Sequence, residues 1–294
     1  MRLFAYAKIN LFLDVGPKEN SANLHKIRSL FQTVSLRDTI YLSEAKEDTI
    51  ESAGFDVPEG KENIVYKAIK LFKSYTKEKR AVKVRILKRI PIGAGLGGGS
   101  SDAAAVLKGL NHIWRKNLSM QNLIFLSKTI GSDVVFFLFG GTAWVEGTGE
   151  QIYPILSIGR RTVLITKPDF SIPTKEIYQM IKNPSMMGFR ERVEPFDLIK
   201  RVKSNLTVKL DFSKISFLRR RFLYNRLSEF VFLKYPVLKK IQDRLIECGA
   251  DLTLLSGTGS ALFSLVKDRK EAEGLIKELK KRFENLSFWL VHTV

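Results

Sequence analysis

Apolar and polar residues tend to alternate from Leu3 to Val15 until the chain reaches Gly16-Pro17, which predicts a strand closed by a turn. A polar loop is expected from Lys18 to Asn23. Further on, Val65, Ala68, Ile69 and Phe72 recur at helical spacing behind Asn63, a natural cap, and Val82 to Leu87 alternates again as a strand. Met120 to Thr129 and Asp133 to Phe139 read as short helices separated by Gly131. Thr142 to Val145 reads as a strand entering the turn Gly147-Thr148-Gly149-Glu150. In the second half the pattern predicts a strand from Thr162 to Thr166, a helix behind Pro173 and a helix from Pro236 to Glu247 stopped by Gly249. A strand around Ser260 to Val266, a charged helix from Asp268 to Phe283 and a last strand from Phe288 complete the chain.

With 294 residues, 45% of them hydrophobic, the composition is that of a globular chain, and the length suits two domains. The first is expected over residues 1–150 and the second over 151–294. The 49 basic residues outnumber 30 acidic ones, leaving a charge of +19 that favours an anionic partner: nucleic acid, an acidic membrane surface or a phosphorylated metabolite. The longest wholly apolar run, Val134 to Phe139, falls far short of the roughly 20 residues of a membrane span. Lys8, Asn10 and Asp14 interrupt the opening stretch, which therefore lacks the core of a signal peptide. The lone Cys248 cannot close an intrachain disulfide and reads as a small core residue. A cytoplasmic protein without a membrane span is the expectation.

The most informative stretch follows Pro91. Between Gly93 and Gly99 five of seven residues are glycine, and Ser100, Ser101 and Asp102 then lead into Ala103, Ala104 and Ala105, strong helix formers. Glycines let the backbone approach a ligand and adopt positive φ, while the unpaired N–H groups and dipole of a helix N-terminus attract an anion. Polyphosphate fits such a site. There is no GxxxxGK[ST] motif and no dinucleotide fingerprint, so a different nucleotide-binding class is required. Ser256 to Val266 reads as a glycine turn entering a strand, either a second anion contact or an ordinary hairpin.

Taken in order, AKINLFLDV (7–15), PIGAGLGGGSSDAAA (91–105), GSDVVFFLFGGTA (131–143) and SGTGSALFSL (256–265) resemble the successive motifs of the GHMP small-molecule kinases. NIVYKA (63–68) and SIPTKEIY (171–178) add a resemblance to the branch of that family acting on 4-diphosphocytidyl-2-C-methyl-D-erythritol in non-mevalonate isoprenoid synthesis. The resemblance implies an α+β, two-domain GHMP kinase fold, with a ribosomal-protein-like N-terminal half and a ferredoxin-like C-terminal half. It also implies phosphoryl transfer from ATP to a substrate hydroxyl, with Mg²⁺, on a small-molecule substrate. Asp133 matches the family's catalytic aspartate and Lys8 its lysine partner. Asn63, Lys88, Pro91, Gly93, Gly95, Leu96, Gly97, Gly98, Gly99, Ser100 and Ser101 match its ATP-binding positions. Asn10, His25, Thr174, Tyr178, Gly257 and Thr258 match its substrate-binding positions.

Each of these residues also has a plainer reading: Asp133 as a helix cap, Lys8 as a solvated strand residue, Tyr178 as helix packing. The protein-side metal ligands stay unassigned. Two departures from the family pattern concern the substrate. Asn23-Leu24-His25-Lys26 lacks the tyrosine that would stack on cytosine, and Asn225-Arg226-Leu227-Ser228 carries a cation where relatives tend to have acids. Homoserine, mevalonate or a sugar is the alternative substrate class. Nucleic acid is a remote alternative motivated by Arg219-Arg220-Arg221 and Lys280-Lys281-Arg282, both read as solvated helix faces without an accompanying recognition motif. The expected partner set is thus a small molecule, no nucleic acid and no membrane, with the chain acting as a monomer or homodimer.

Overall fold

A computed structural model describes residues 1–19, 24–55, 57, 60–155, 157–181, 189 and 223–294. They divide into two compact units. The first comprises residues 1–7, 36–92 and 97–140, and the second residues 8–35, 93–96 and 141–294. Strands β1 (Arg2–Glu19) and β2 (Leu24–Ala45) contribute residues to both.

In the first unit β3 (Thr49–Gly54) pairs parallel with β4 (Ala81–Lys88), and β4 pairs antiparallel with β2 from Thr39 to Ala45. Four helices accompany these strands: α1 (Ile64–Thr76), α2 (Gly98–Ile113), α3 (Met120–Ile130) and α4 (Ser132–Phe139). Asn63 caps α1 as expected, its Oδ1 accepting the Val65 N–H at 2.8 Å, and the helix buries Val65, Ala68, Ile69 and Phe72. A side chain at Gly109 of α2 would come within 2.3 Å of Leu42 and 2.6 Å of Leu3. The Ala- and Gly-rich face of α2 is therefore what lets this helix lie tightly on the strands.

In the second unit β5 (Thr142–Glu146) pairs antiparallel with Ser29–Gln32 of β2 and with β6 (Gln151–Ile155), while β8 (Tyr224–Asn225) pairs parallel with β1 at Phe12 and Leu13. A separate four-stranded sheet is built from β7 (Thr162–Pro168), β9 (Leu252–Leu255), β10 (Leu262–Val266) and β11 (Leu286–His292) in the order β11-β7-β10-β9, all antiparallel. Between its strands run α5 (Thr174–Gln179), α6 (Ser228–Lys234), α7 (Pro236–Glu247) and α8 (Arg269–Lys280). This order and alternation is the split βαβ, ferredoxin-like arrangement. The whole is the mixed α+β fold that the motifs implied.

Three local expectations are corrected. β1 does not turn at Gly16-Pro17 but runs on to Glu19, because proline holds an extended-compatible φ and removes only one ladder donor. Lys18 and Glu19 thus belong to the strand, and residues 20–23 lie outside the described ones. Helix α2 begins at Gly98, with Gly97 as its N-cap, so Ser100, Ser101 and Asp102 sit inside its first turns rather than capping it.

Candidate active site

The second unit gathers the larger share of the residues singled out by sequence. Lys8 and Asn10, two apart on β1, share a face, and both are buried. Lys8 Nζ donates to Asn10 Oδ1 at 2.6 Å and lies 4.5 Å above the Phe31 ring; Asn10 Nδ2 donates to Ser29 Oγ at 3.0 Å, and Ser29 in turn to the Phe12 carbonyl. The Lys8 N–H donates to the Leu96 carbonyl at 3.0 Å. At 4% exposure Lys8 is not a solvated strand residue.

Beside this pair stands the segment Gly93–Leu96, pinned by its buried Ala94 and Leu96. Gly93 and Gly95 have φ of +61° and +72°, and a Cβ on Gly95 would fall 1.9 Å from the Ser256 carbonyl oxygen. Only glycine meets both conditions. The turn between β9 and β10 presses against it: Ser256 Oγ donates to the Gly95 carbonyl, Ser260 N–H to the Gly93 carbonyl and Ala261 N–H to the Ala94 carbonyl. Ser256 and Gly259 N–H groups also go to backbone carbonyls, and those of Gly257 and Thr258 take part in none of these bonds. Thr258 Oγ1 lies 3.1 Å from Thr174 Oγ1 at the start of α5. Asn225 sets this turn, its Nδ2 donating to the Leu255 carbonyl at 2.8 Å and the Gly257 carbonyl at 2.7 Å.

His25 and Tyr178 form a second group in the same unit, their rings 5.6 Å apart and tilted by 40°. His25 Nδ1 stands 3.0 Å from the Gly16 carbonyl, an acceptor, so Nδ1 carries a hydrogen and Nε2 of the neutral ring is an acceptor. Nε2 is buried and has no hydrogen-bond partner among the described residues. Phe189, which the sequence reading passed over, packs its ring on Gly16 and lies 4.1 Å beneath the Arg28 guanidinium. Leu24 is half exposed. Arg226, the cation that departs from the family pattern, is internal: Nε bonds Asp14 Oδ1 at 2.6 Å and Nη1 donates to the Val15 carbonyl at 3.0 Å. Its charge is neutralised within the fold.

The first unit holds the other singled-out residues around the start of α2. Gly97, with φ of +72°, offers no side-chain cap, so the first N–H groups of α2, at Gly98, Gly99 and Ser100, keep the donors and positive dipole end of an open helix terminus. A Cβ at Gly98 would lie 2.9 Å from Ile90 and 3.1 Å from Lys88 Nζ, and one at Gly99 would lie 3.3 Å from Ile64, the residue behind Asn63. Pro91 and Ser101 are buried; Asp133 sits in the first turn of α4, with Gly131 in the cap position instead.

Lys88 occupies the buried register of β4, after Val82, Val84 and Ile86. Its Nζ donates to Asp38 Oδ2 at 2.5 Å and to Asp102 Oδ2 at 2.8 Å, and all three side chains are nearly inaccessible. Burial alone would discharge the lysine, but the charges of Asp102 and Asp38 and the hydrogen bonds to them outweigh it and raise its pKa. Burial pushes the Asp102 carboxyl up to about 8, with Lys88 opposing the shift and Asp38 adding to it. Burial thus favours the protonated form of Asp102, against the pull of the Lys88 ammonium beside it. Asp38 had no motif to announce it.

The chain is similar to known proteins along most of its length. The GHMP kinases N terminal domain matches residues 63–141 and the GHMP kinases C terminal domain residues 211–285. Over 93% of its length the chain is 37% identical to the 4-diphosphocytidyl-2-C-methyl-D-erythritol kinase of Thermodesulfovibrio yellowstonii, covering 92% of that protein. The chain belongs to the GHMP kinase family. A second relative of the same name, from Caldicellulosiruptor bescii, is 35% identical over 95% of this chain and 94% of its own. The crystal structure of a 4-(cytidine 5'-diphospho)-2C-methyl-D-erythritol kinase matches all of this family member and 99% of its own chain, with a TM-score of 0.77 at 28% identity. The homoserine kinase of Cytophaga hutchinsonii shares the fold, with a TM-score of 0.69 at 14% identity.

Proposed function

We propose that this small-molecule kinase transfers the γ-phosphoryl group of ATP to a hydroxyl of 4-diphosphocytidyl-2-C-methyl-D-erythritol. The observation that carries the reading is similarity to kinases of that name along nearly the whole chain. The site chemistry supports it independently. Phosphoryl transfer asks for positioning and charge stabilisation, and the open, glycine-lined start of α2 supplies backbone donors at a positive dipole end without a side chain in the way. A Cβ at Gly98 would meet buried Ile90 and Lys88, so glycine there lets the start of α2 sit close against these side chains.

Asp133 takes the hydroxyl proton as the substrate oxygen bonds to the γ-phosphorus and the bond to the ADP oxygen breaks. Lys8, fixed by Asn10, contributes positive charge to the reacting oxygens. Among the described residues no group of three or more His, Cys, Asp or Glu side chains is placed to hold a metal ion. Mg²⁺ bound with the nucleotide would neutralise phosphate charge. On the substrate side the free acceptor His25 Nε2 suits the amino group of cytosine, with the Tyr178 and Phe189 rings as apolar walls. Thr174, Gly257 and Thr258 take the polar part of the substrate. Domains over 1–150 and 151–294 belong to the same proposal, supported by family matches on either side of residue 150.

The test is ADP release with Mg²⁺-ATP and a panel of acceptors. Turnover of 4-diphosphocytidyl-2-C-methyl-D-erythritol is expected; turnover of homoserine or mevalonate in its place would reject this substrate.

A further inference from the structure

Three ionisable groups buried together are an expensive way to hold a fold, because apolar side chains of similar volume commonly do it as well or better. The cluster of Asp38, Lys88 and Asp102 therefore calls for a reason beyond stability, and its connections supply one. Asp38 Oδ1 accepts the N–H groups of Arg89 at 2.5 Å and Ile90 at 2.8 Å, the last residues before Pro91, while its Oδ2 accepts Lys88. Lys88 reaches on to Asp102, in the second turn of α2, and passes beside Gly98, the first residue of that helix. Asp102 Oδ1 is buried without a hydrogen-bond partner among the described residues. The chain before the glycine loop and the helix after it are thus tied through one ammonium, inside one compact unit.

We propose that Asp38 is a positioning residue for nucleotide binding: through Lys88 and Asp102 it clamps the root of the glycine loop and so fixes where the open N–H groups of α2 stand. Asp38 touches no ligand; it acts on the amides that do. This inference rests on the reading of the α2 start as the phosphate site. It assigns Lys88 a task different from direct contact, since an ammonium 2% exposed has two of its three donors engaged by buried carboxylates.

The experiment compares wild type, Asp38→Ala, Asp38→Asn and the double variant Lys88→Met/Asp38→Asn. Each is measured for binding of a fluorescent ribose-labelled ADP, for KM of ATP and of the hydroxyl substrate, and for thermal melting. Asp38→Ala loses both amide acceptors and the bridge and should weaken nucleotide binding and raise KM for ATP about ten- to a hundredfold, the scale of a lost charge-assisted hydrogen bond. The hydroxyl-substrate KM should stay within about twofold, because that subsite is built from other segments. Asp38→Asn keeps an oxygen for both amides but turns an NH2 toward the Lys88 ammonium, so it cuts the bridge alone and should bind nucleotide more weakly than wild type and more tightly than Asp38→Ala. Lys88→Met/Asp38→Asn cuts the bridge without stranding a charge and should fold while binding nucleotide about tenfold more weakly. If Asp38→Ala does not fold, the last two variants decide. Wild type failing to bind the nucleotide would overturn the phosphate-site reading itself and the clamp with it. Wild-type binding matched by a folded Asp38→Ala, or by the double variant, would overturn the clamp alone.

Discussion

The segments proposed to hold the nucleotide and the base are built from different materials. Around Gly93–Ser101 the geometry is carried by main chain: glycines at 93, 95 and 97 adopt positive φ, buried Ala94 and Leu96 anchor the segment between them, and α2 opens without a side-chain cap. Around His25 the geometry is carried by side chains: an imidazole with one nitrogen committed and one open, the Tyr178 ring beside it, and the Phe189 ring packed on Gly16. A main-chain site tolerates no added atoms, whereas a side-chain site can lose one ring and keep the rest.

The sharpest way to break the comparison is at the reacting centre. Asp133→Asn should lower kcat by about 10²- to 10⁴-fold, the usual worth of a general base, with labelled-ADP affinity nearly unchanged. Unaltered kcat would remove Asp133 from proton transfer. Next in size is Arg226→Met, which removes the guanidinium paired with the buried Asp14 carboxylate and should cost up to about 3–5 kcal/mol of stability by denaturant titration. The KM values of the folded variant should hold, because this cation serves the fold and not the substrate.

Gly95→Ala tests the main-chain side. It forces a side chain to a φ of +72°, against the Ser256 carbonyl, and should destabilise the protein by about 1–3 kcal/mol from backbone strain alone, with the clash adding to it. A variant as stable and active as wild type would show that the segment moves freely, contrary to its packing. On the base side His25→Ala should raise the substrate KM about tenfold while leaving KM for ATP alone, the scale of one lost hydrogen bond in a buried site. Leu24→Tyr should lower it, by a few-fold up to about tenfold, if a ring there gains stacking.

The smallest effect concerns pH. Asp102 holds its proton up to about 8 in the native state, whereas an unfolded aspartate releases it near 4. Between those values the native protein binds a proton that the unfolded chain does not, so this group makes stability fall as pH rises through the window. Asp102→Asn removes the titration, and unfolding curves at successive pH values should show a shallower decline than in wild type. Parallel declines would place the proton elsewhere.

Much of this was legible from residue patterns, and the exceptions have physical causes. Asn63, the helix it caps and the β4 strand follow from local spacing alone. Lys88 continues the buried alternation Val82, Val84, Ile86, a signal for buried carboxylates that the resemblance-based reading of Lys88 left unused. Asp38 lies where burial along β2 alternates, on the buried face with Leu36, Ile40 and Leu42, but a lone acid among apolar residues carries no motif, and its partners Lys88 and Asp102 are distant in sequence. Arg226 looked like a surface charge near the substrate because its partner Asp14 is distant in sequence and brought near only by the pairing of β8 with β1. The Arg219-Arg220-Arg221 run lies outside the described residues. In the other basic run Lys281 pairs with Glu278 on the exposed side of α8, as a solvated helix face should.

The central claim is the identity of the phosphoryl acceptor, and a single assay addresses it: ADP release from Mg²⁺-ATP with 4-diphosphocytidyl-2-C-methyl-D-erythritol, homoserine and mevalonate in parallel. The account predicts turnover with the cytidine-linked alcohol and background rates with the other two. Background with the first and turnover with either of the others would contradict it.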